Sequence, residues 1–298
     1  MIIFDIERDE PVRELSGHGK AINDLQVSPL SPEILVSASE DLTVRIWNLS
    51  PKHEKQPCRA ILGGQGHPQP LLTLDFHPNG RWLLTGAMDT AVALWAVPSL
   101  EELDSNDNIE PSLHPYPYFI SSEIHTNFVD CVKWYGDCIL SRAARNEDDG
   151  GDAAMKQNEI ILWIIDGFDS SMPHPEHPPI PYPGRYTLSA FPHSERSRGF
   201  DRLLTFDTKD TARFYLRFGL LHEPSMRPVL VMGNTRSKFF FWDLQKCEEG
   251  EEVIAKKGKG GKRKRGAANA VNVEGLDRLG ELKRDADAVS DGASGTLF

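Results

Sequence analysis

An all-β fold built from repeated four-stranded antiparallel blades is predicted by three observations. Residues 17 to 49 hold three runs of strand character, AINDLQVS, EILVSAS and TVRIWNL, each rich in β-branched or aliphatic residues and bounded by Pro, Ser, Glu or Asp. A second set, LLTLDFHP, WLLTGAMD and AVALWAV, follows, and its opening Gly66-His67 repeats Gly17-His18. The two sets also share one register. Ser37 precedes Asp41 by four residues and Trp47 by ten, and Thr85 precedes Asp89 by four and Trp95 by ten. Repetition at this period marks an architecture in which each unit buries its apolar face against its neighbours.

The spacing has a chemical reason. In a four-stranded blade the His sits in the loop entering the first strand and the hydroxyl on the second. The Asp follows in the tight turn, and the Trp lies on the third strand. Indole, hydroxyl, imidazole and carboxylate then form one buried hydrogen-bonded chain in which every polar group has a partner. His18-Ser37-Asp41-Trp47 and His67-Thr85-Asp89-Trp95 therefore resemble WD40 structural tetrads. Ser, His and Asp also make a hydrolase triad, but two copies, each with a Trp at blade spacing, fit a structural role.

In order along the chain, IIFDI reads as the end of a third strand, with Phe4-Asp5 standing where Trp47-Asn48 stands later, and VRELSG as the fourth strand. This gives a half blade over 1–16. The 43 residues from Phe4 to Trp47 match the WD40 period of about 40–45. Whole blades are expected at about 17–64, 65–100, 121–167 and 185–246. SLEELDSNDNIEPSLHPYPYFIS reads as an inter-blade loop. The third blade combines NFVDCVKWYG, DCILS and NEIILWII, interrupted by an insertion from about Arg142 to Gln157. The EDDGGD in that insertion lacks the spacing of a calcium loop and reads as solvated. GFDSSMPHPEHPPIPYPG is a proline-rich connection that cannot be a central strand, and its His174 and His177 read as bystanders to metal chemistry. RLLTFDT, TARFYLRFGL, RPVLVMGN and KFFFWDL are assigned to the last blade. Residues 247–298 are charged and Gly-rich without a sustained period, and read as a disordered tail. Its KKGKGGKRKR has the form of a nuclear-import signal, a nucleic-acid-touching tail or a solvated linker.

A net charge of -11 argues against nucleic acid as the main ligand, leaving DNA only weak contact through the basic tail. No apolar run is long enough to span a membrane, and MIIFD is too short and acidic for a signal peptide. The four cysteines lack metal spacing and read as free thiols of a reducing compartment, cytosol or nucleus. Paired catalytic carboxylates, a phosphate loop and a metal quartet are all missing, so neither an enzyme nor a cofactor is expected.

GHGKAINDL, NFVDCVKWYGDCILS, RFYLRF and LVMGNTRSKFFFWDL together resemble the extra sex combs/embryonic ectoderm development family, the WD40 subunit of Polycomb repressive complex 2. The resemblance runs from about Ile2 to Leu244. It implies a non-catalytic propeller of seven blades, of which about four are recognisable. It also implies an aromatic cage for a trimethylated lysine of histone H3 at one end of the channel. The opposite face would hold an extended segment of the SET-domain methyltransferase, and the location would be the nucleus. Matched residue by residue, Phe214 and Tyr215 stand where the family has a Trp-Tyr pair of the cage, and Asn23, Phe128, Asp130 and Arg217 match residues lining its mouth. Without the resemblance, Phe214-Tyr215 reads as a hydrophobic strand pair. The Phe in place of Trp weakens the cage, because Trp offers the best face to a cation. A general WD40 interaction scaffold, or a truncated product without independent function, are the alternatives.

The family's further cage aromatics and last blade have no counterpart here, so an open arc is expected, with apolar blade faces exposed at both ends. The isolated chain should be unstable or oligomeric, and sharp reversible unfolding of a monodisperse monomer would contradict this. Losing two rings at about 1–2 kcal/mol each should weaken trimethyl-lysine binding by about 30- to 1000-fold. A micromolar dissociation constant for a trimethyl-lysine H3 peptide would refute that.

Overall fold

The structure, a computed structural model, describes residues 1–105, 110–143, 158–181, 184–213, 215–223 and 225–248. The acidic insertion and the tail from residue 249 onward lie outside these residues. A two-stranded pair opens the chain, β1 (Ile2–Asp5) with β2 (Glu10–Glu14). The next sheet holds β3 (Ile22–Val27), β4 (Ile34–Ser39), β5 (Val44–Asn48) and β6 (Cys58–Leu62) as an antiparallel meander. The following one begins with β7 (Leu71–Phe76), β8 (Trp82–Ala87) and β9 (Val92–Ala96).

The stretch expected to be an inter-blade loop is structured. Ser99 and Glu102 form a reciprocal capping box that starts a short helix, α1 (Leu100–Asp104). β10 (Ser112–His114) then adds in parallel to β6, and β11 (Phe119–Ser121) is the fourth strand of the β7–β9 sheet. β12 (Val129–Tyr135), β13 (Cys138–Ala143) and β14 (Glu159–Ile165) form the third sheet. β15 (Thr187–Ser189), downstream of the proline-rich connection, turns back to pair with β11 as a fifth strand.

The RLLTFDT segment corrects another expectation. β16 (Phe200–Asp207) does not open the last blade but pairs with β14 as the outer strand of the third. The last sheet therefore holds β17 (Gly219–Leu221), β18 (Val229–Gly233) and β19 (Phe239–Asp243), followed by α2 (Leu244–Glu248). Cys247, placed in the tail by composition, is buried with Leu244 in the core.

Four apolar layers lie between successive sheets. Leu83 and Trp95 face one layer, while Trp82, Leu84 and Leu94 face the next. In EIILWII, Ile161, Trp163 and Ile165 point to one side, and Ile160, Leu162 and Ile164 to the other. A strand covered on both faces reads as a continuous apolar run instead of an alternating one. That is why the middle strands were legible as strands although their period was not.

Both tetrads close. His18 Nδ1 lies 2.8 Å from Asp41, His18 Nε2 lies 2.7 Å from Ser37 Oγ, and Trp47 Nε1 donates to the same Oγ at 2.8 Å. In the second, His67 contacts Asp89 and Thr85 Oγ1, both at 2.8 Å, and Trp95 Nε1 donates to that hydroxyl at 2.9 Å. The carboxylate accepts a hydrogen bond from Nδ1–H, so Nε2 accepts from the hydroxyl, and the hydroxyl accepts from the indole. The glycine of each Gly-His pair makes room for the ring: a Cβ on Gly66 would sit 2.6 Å from the Trp95 indole. Burial lowers the His18 pKa, and hydrogen bonding to Asp41 opposes this only in part. Burial alone would raise Asp41, but hydrogen bonds from Thr43, His18 and the Gly19 N–H hold it at about 2.

A third, incomplete network was missed from sequence. His125 Nε2 lies 2.6 Å from Ser141 Oγ, and Trp163 Nε1 donates to that oxygen at 2.8 Å. The insertion stretches the step from Ser141 to Trp163 to 22 residues, and the residue four after Ser141 in the sequence is Arg145 instead of Asp. Burial, reinforced by the nearby Arg202 and Arg142 charges, pushes the His125 pKa down to about 3. The unfolded chain, with an ordinary histidine, therefore binds the extra proton first. Stability from this group is complete above pH ~6.5 and is lost as pH falls toward the folded value, at about 1.4 kcal/mol per pH unit. Urea unfolding at pH 7 and pH 5 should show a loss of about 2 kcal/mol from this residue. His125→Gln should flatten the pH slope; an unchanged slope would rule out the assignment.

Candidate functional site

The site forms where the inner strands β3, β7 and β12 meet the loop before β17. Each inner strand is the edge of its own sheet, so half of its backbone groups face the neighbouring blade without a ladder partner. Polar side chains take that place. Leu74 N–H donates to Asp24 Oδ2 at 3.0 Å and Phe76 N–H to Gln26 Oε1 at 2.7 Å, joining β3 to β7. Trp134 N–H donates to Asp75 Oδ2 at 2.9 Å, joining β7 to β12, and Lys133 pairs with the same carboxylate.

Asn23 and Arg217 extend this pattern toward Tyr215. Asn23 Nδ2 donates to Leu71 O at 2.7 Å. Arg217 donates to Leu72 O at 2.8 Å and to Asn23 O at 3.3 Å, and it pairs with Asp24 at 2.9 Å. Arg217 thus ties the last sheet to two sheets more than 140 residues earlier in the chain. Its charge is balanced by Asp24 and its Nη2 group bonds two backbone carbonyls, so it serves as a strut.

Tyr215 sits on this strut. Its backbone is left-handed, at φ +66°, and the residue is 49% exposed. Non-glycine residues rarely adopt that conformation without a local anchor. Here its N–H donates to Asp130 Oδ2 at 3.2 Å, and its hydroxyl donates to Asn23 Oδ1 at 3.4 Å. Asp130, expected to line the mouth of the cage, is fully buried and paired with the equally buried Arg142. Arg142 also donates to the Thr211 and Arg213 carbonyls, so the loop carrying Tyr215 is held from below by an ion pair. Nothing in the sequence marked Arg142, which was read as the first residue of an insertion.

The structure therefore brings Asn23, Asp130, Tyr215 and Arg217 together. Phe128, 38% exposed, lies just ahead of β12, two residues before Asp130. Phe214 lies outside the described residues. Among the described residues no group of His, Cys, Asp or Glu is placed to hold a metal. His174 packs edge-on against Trp82 with centroids 4.3 Å apart, and His177 is exposed beside Glu176. None of the described helices is long and apolar enough to cross a membrane.

Stacked antiparallel blades that each carry a tetrad define a WD-repeat protein, and the WD domain, G-beta repeat profile matches residues 9–48 and 57–96. Each match runs from the outer strand of one blade into the first three strands of the next. The chain is 42% identical over 263 residues to Polycomb protein EED of Chaetomium thermophilum, an alignment covering 85% of this chain and 44% of that protein. It is 28% identical over 255 residues to Polycomb protein esc of Drosophila melanogaster, covering 81% and 51%. A solved structure of the Chaetomium Polycomb complex with H3K27me3 and H3K27M superposes at TM-score 0.75 and 43% identity, over 85% of this chain and 51% of that one. The chain belongs to the extra sex combs/embryonic ectoderm development family of Polycomb WD40 proteins. It spans about half the length of these relatives.

Asp130→Ala should leave Arg142 buried without its counter-charge and cost about 3–5 kcal/mol of stability. Adding Arg142→Met should recover part of that loss. Chemical denaturation of the two single variants and the double variant closes the cycle; strict additivity would show that the pair does not act as a unit.

Proposed function

We propose that this chain is a non-catalytic scaffold and methyl-lysine reader of a Polycomb-type histone H3 methyltransferase complex, acting in the nucleus. The observation that carries this is Tyr215, an exposed aromatic held in a strained backbone by a buried ion pair at the channel mouth. An aromatic fixed in this way presents a π-face without ordering cost, which a quaternary ammonium requires. A solved Polycomb complex of a relative contains the trimethylated peptide H3K27me3. Phe214, adjacent in sequence, is assigned as the second ring of the cage, and Phe128 and Asn23 as its rim. The balanced Arg217-Asp24 pair keeps the mouth from repelling a cation. The partners are a SET-domain methyltransferase subunit and the trimethylated H3 tail.

Isothermal titration with trimethyl-lysine and unmodified H3 peptides tests this. The trimethylated peptide should bind more tightly, and Tyr215→Ala should remove the difference, at about 1–2 kcal/mol for one ring. Equal affinity for both peptides would refute the reader assignment. Retention of the difference in Tyr215→Ala would refute the role of the ring.

A further inference from the structure

We propose that the proline-rich strap between β14 and β15 is a ligand for a small domain whose groove is built of aromatic rings, of the WW type. The 21 residues between Ile165 and Thr187 carry no strand or helix among the described residues. Connections of this length inside a packed domain are uncommon, and most of them carry a function or act as linkers.

Local sterics set the backbone of the strap. Residues 173–183 read PHPEHPPIPYP, and six of the eleven are proline. Each of the others except Glu176 stands directly before a proline. Proline holds φ at about −65°, and the residue ahead of a proline is pushed into an extended conformation. Repeated along a segment, these two restrictions give the polyproline II helix, with three residues per turn and no internal hydrogen bonds. Among the described residues, 175–181 make no backbone-backbone hydrogen bond, in keeping with that conformation.

The strap is held at both ends. Asn79 Nδ2 donates to Ser170 O and Arg81 Nη2 to Met172 O, both at 2.9 Å, and the His174 ring packs against Trp82. At the other end β15 joins its sheet through β11. A segment ordered in advance by its prolines and its anchors loses little entropy on binding. Pro178 and Pro179 are half-buried, whereas Ile180 is 73% exposed and Pro181 is also exposed. With three residues per turn, His177 and Ile180 share one ridge, and both are exposed. Ile180-Pro181 is therefore the X-Pro pair that an incoming groove meets.

The charge of the strap selects between the two groove types that use this conformation. An SH3-type groove adds an acidic pocket for a basic residue of its ligand. No Lys or Arg lies between Met172 and Gly184, and the only carboxylate in 173–183, Glu176, has the wrong sign for such a pocket. A WW-type groove takes X-Pro between aromatic rings by apolar contact and makes no such demand. The uncharged Pro178-Pro179-Ile180-Pro181 fits it. The strap shares no residue with the Tyr215 site, so its partner is separate from the methyl-lysine ligand.

The test is an NMR titration of an isotope-labelled WW domain, selective for Pro-Pro-Leu-Pro ligands, with the full chain. An SH3 domain is titrated in parallel. Saturable shifts at the aromatic groove of the WW domain are expected, with the SH3 domain binding at least about tenfold more weakly. Pro181→Ala removes the ring that enters the groove and frees the backbone, and should weaken WW binding by about tenfold or more. Ile180→Glu places a charge against the rings and should weaken it as much. Both positions are exposed, and thermal unfolding midpoints show that each variant is folded. The proposal is overturned if no saturable shift appears up to about 1 mM chain, or if either folded variant keeps its full affinity. Tighter binding to the SH3 domain than to the WW domain would also overturn it.

Discussion

The arrangement rests on one constraint: the innermost strand of every blade is a sheet edge that faces another blade across a gap no backbone ladder bridges. An unpaired backbone N–H buried there would cost about 1–3 kcal/mol. The chain meets this with side chains that imitate the missing strand. Asp24 and Gln26 accept from alternate amides of β7, and Asp75 accepts from β12. The propeller is thus held together on the inside by polar contacts of defined direction and between its faces by apolar layers. The apolar layers supply most of the stabilisation, while the polar contacts fix which blade follows which and in what register.

The candidate site is a continuation of the same device. Asn23 and Arg217 bond β7 carbonyls and each other, where further along the strand Gln26 accepts the Phe76 N–H of β7. What makes this end different is the Asp130-Arg142 pair beneath it, which holds an aromatic residue in a left-handed conformation. A buried ion pair is a weak source of net stability but a strong source of specificity once formed, because either charge alone would be stranded. The loop carrying Tyr215 consequently has little freedom to relax, and the ring is presented to solvent by the stability of the core below it.

The tetrads show how far a repeat tolerates departure. Two are complete, and the third keeps its Trp, Ser and His while lacking a carboxylate among the described residues. Without the Asp, His125 has only Ser141 as a described polar partner and faces two arginine charges, so it must remain neutral. The complete tetrads offset the burial of their histidines with a carboxylate. The third blade instead carries a penalty that grows as the solution becomes acidic.

From the sequence alone, the two complete tetrads, the blade period and the antiparallel strands that carry them could be read. These depend on separations of about twenty residues, and the chemistry of the hydrogen-bonded chain fixes its residue types. Conserved spacing failed where an insertion broke it, which hid the Ser141-Trp163 contact, and where short strands lacked a period of their own, as with Ser112–His114 and Phe119–Ser121. Tertiary structure alone decided that β16 closes the third blade, that the proline-rich connection returns a strand to the second, and that Arg142 anchors the loop carrying Tyr215. Each of these depends on which sheet edge lies open nearby once the blades have stacked. That is a property of the folded arc, and no local pattern of residues encodes it.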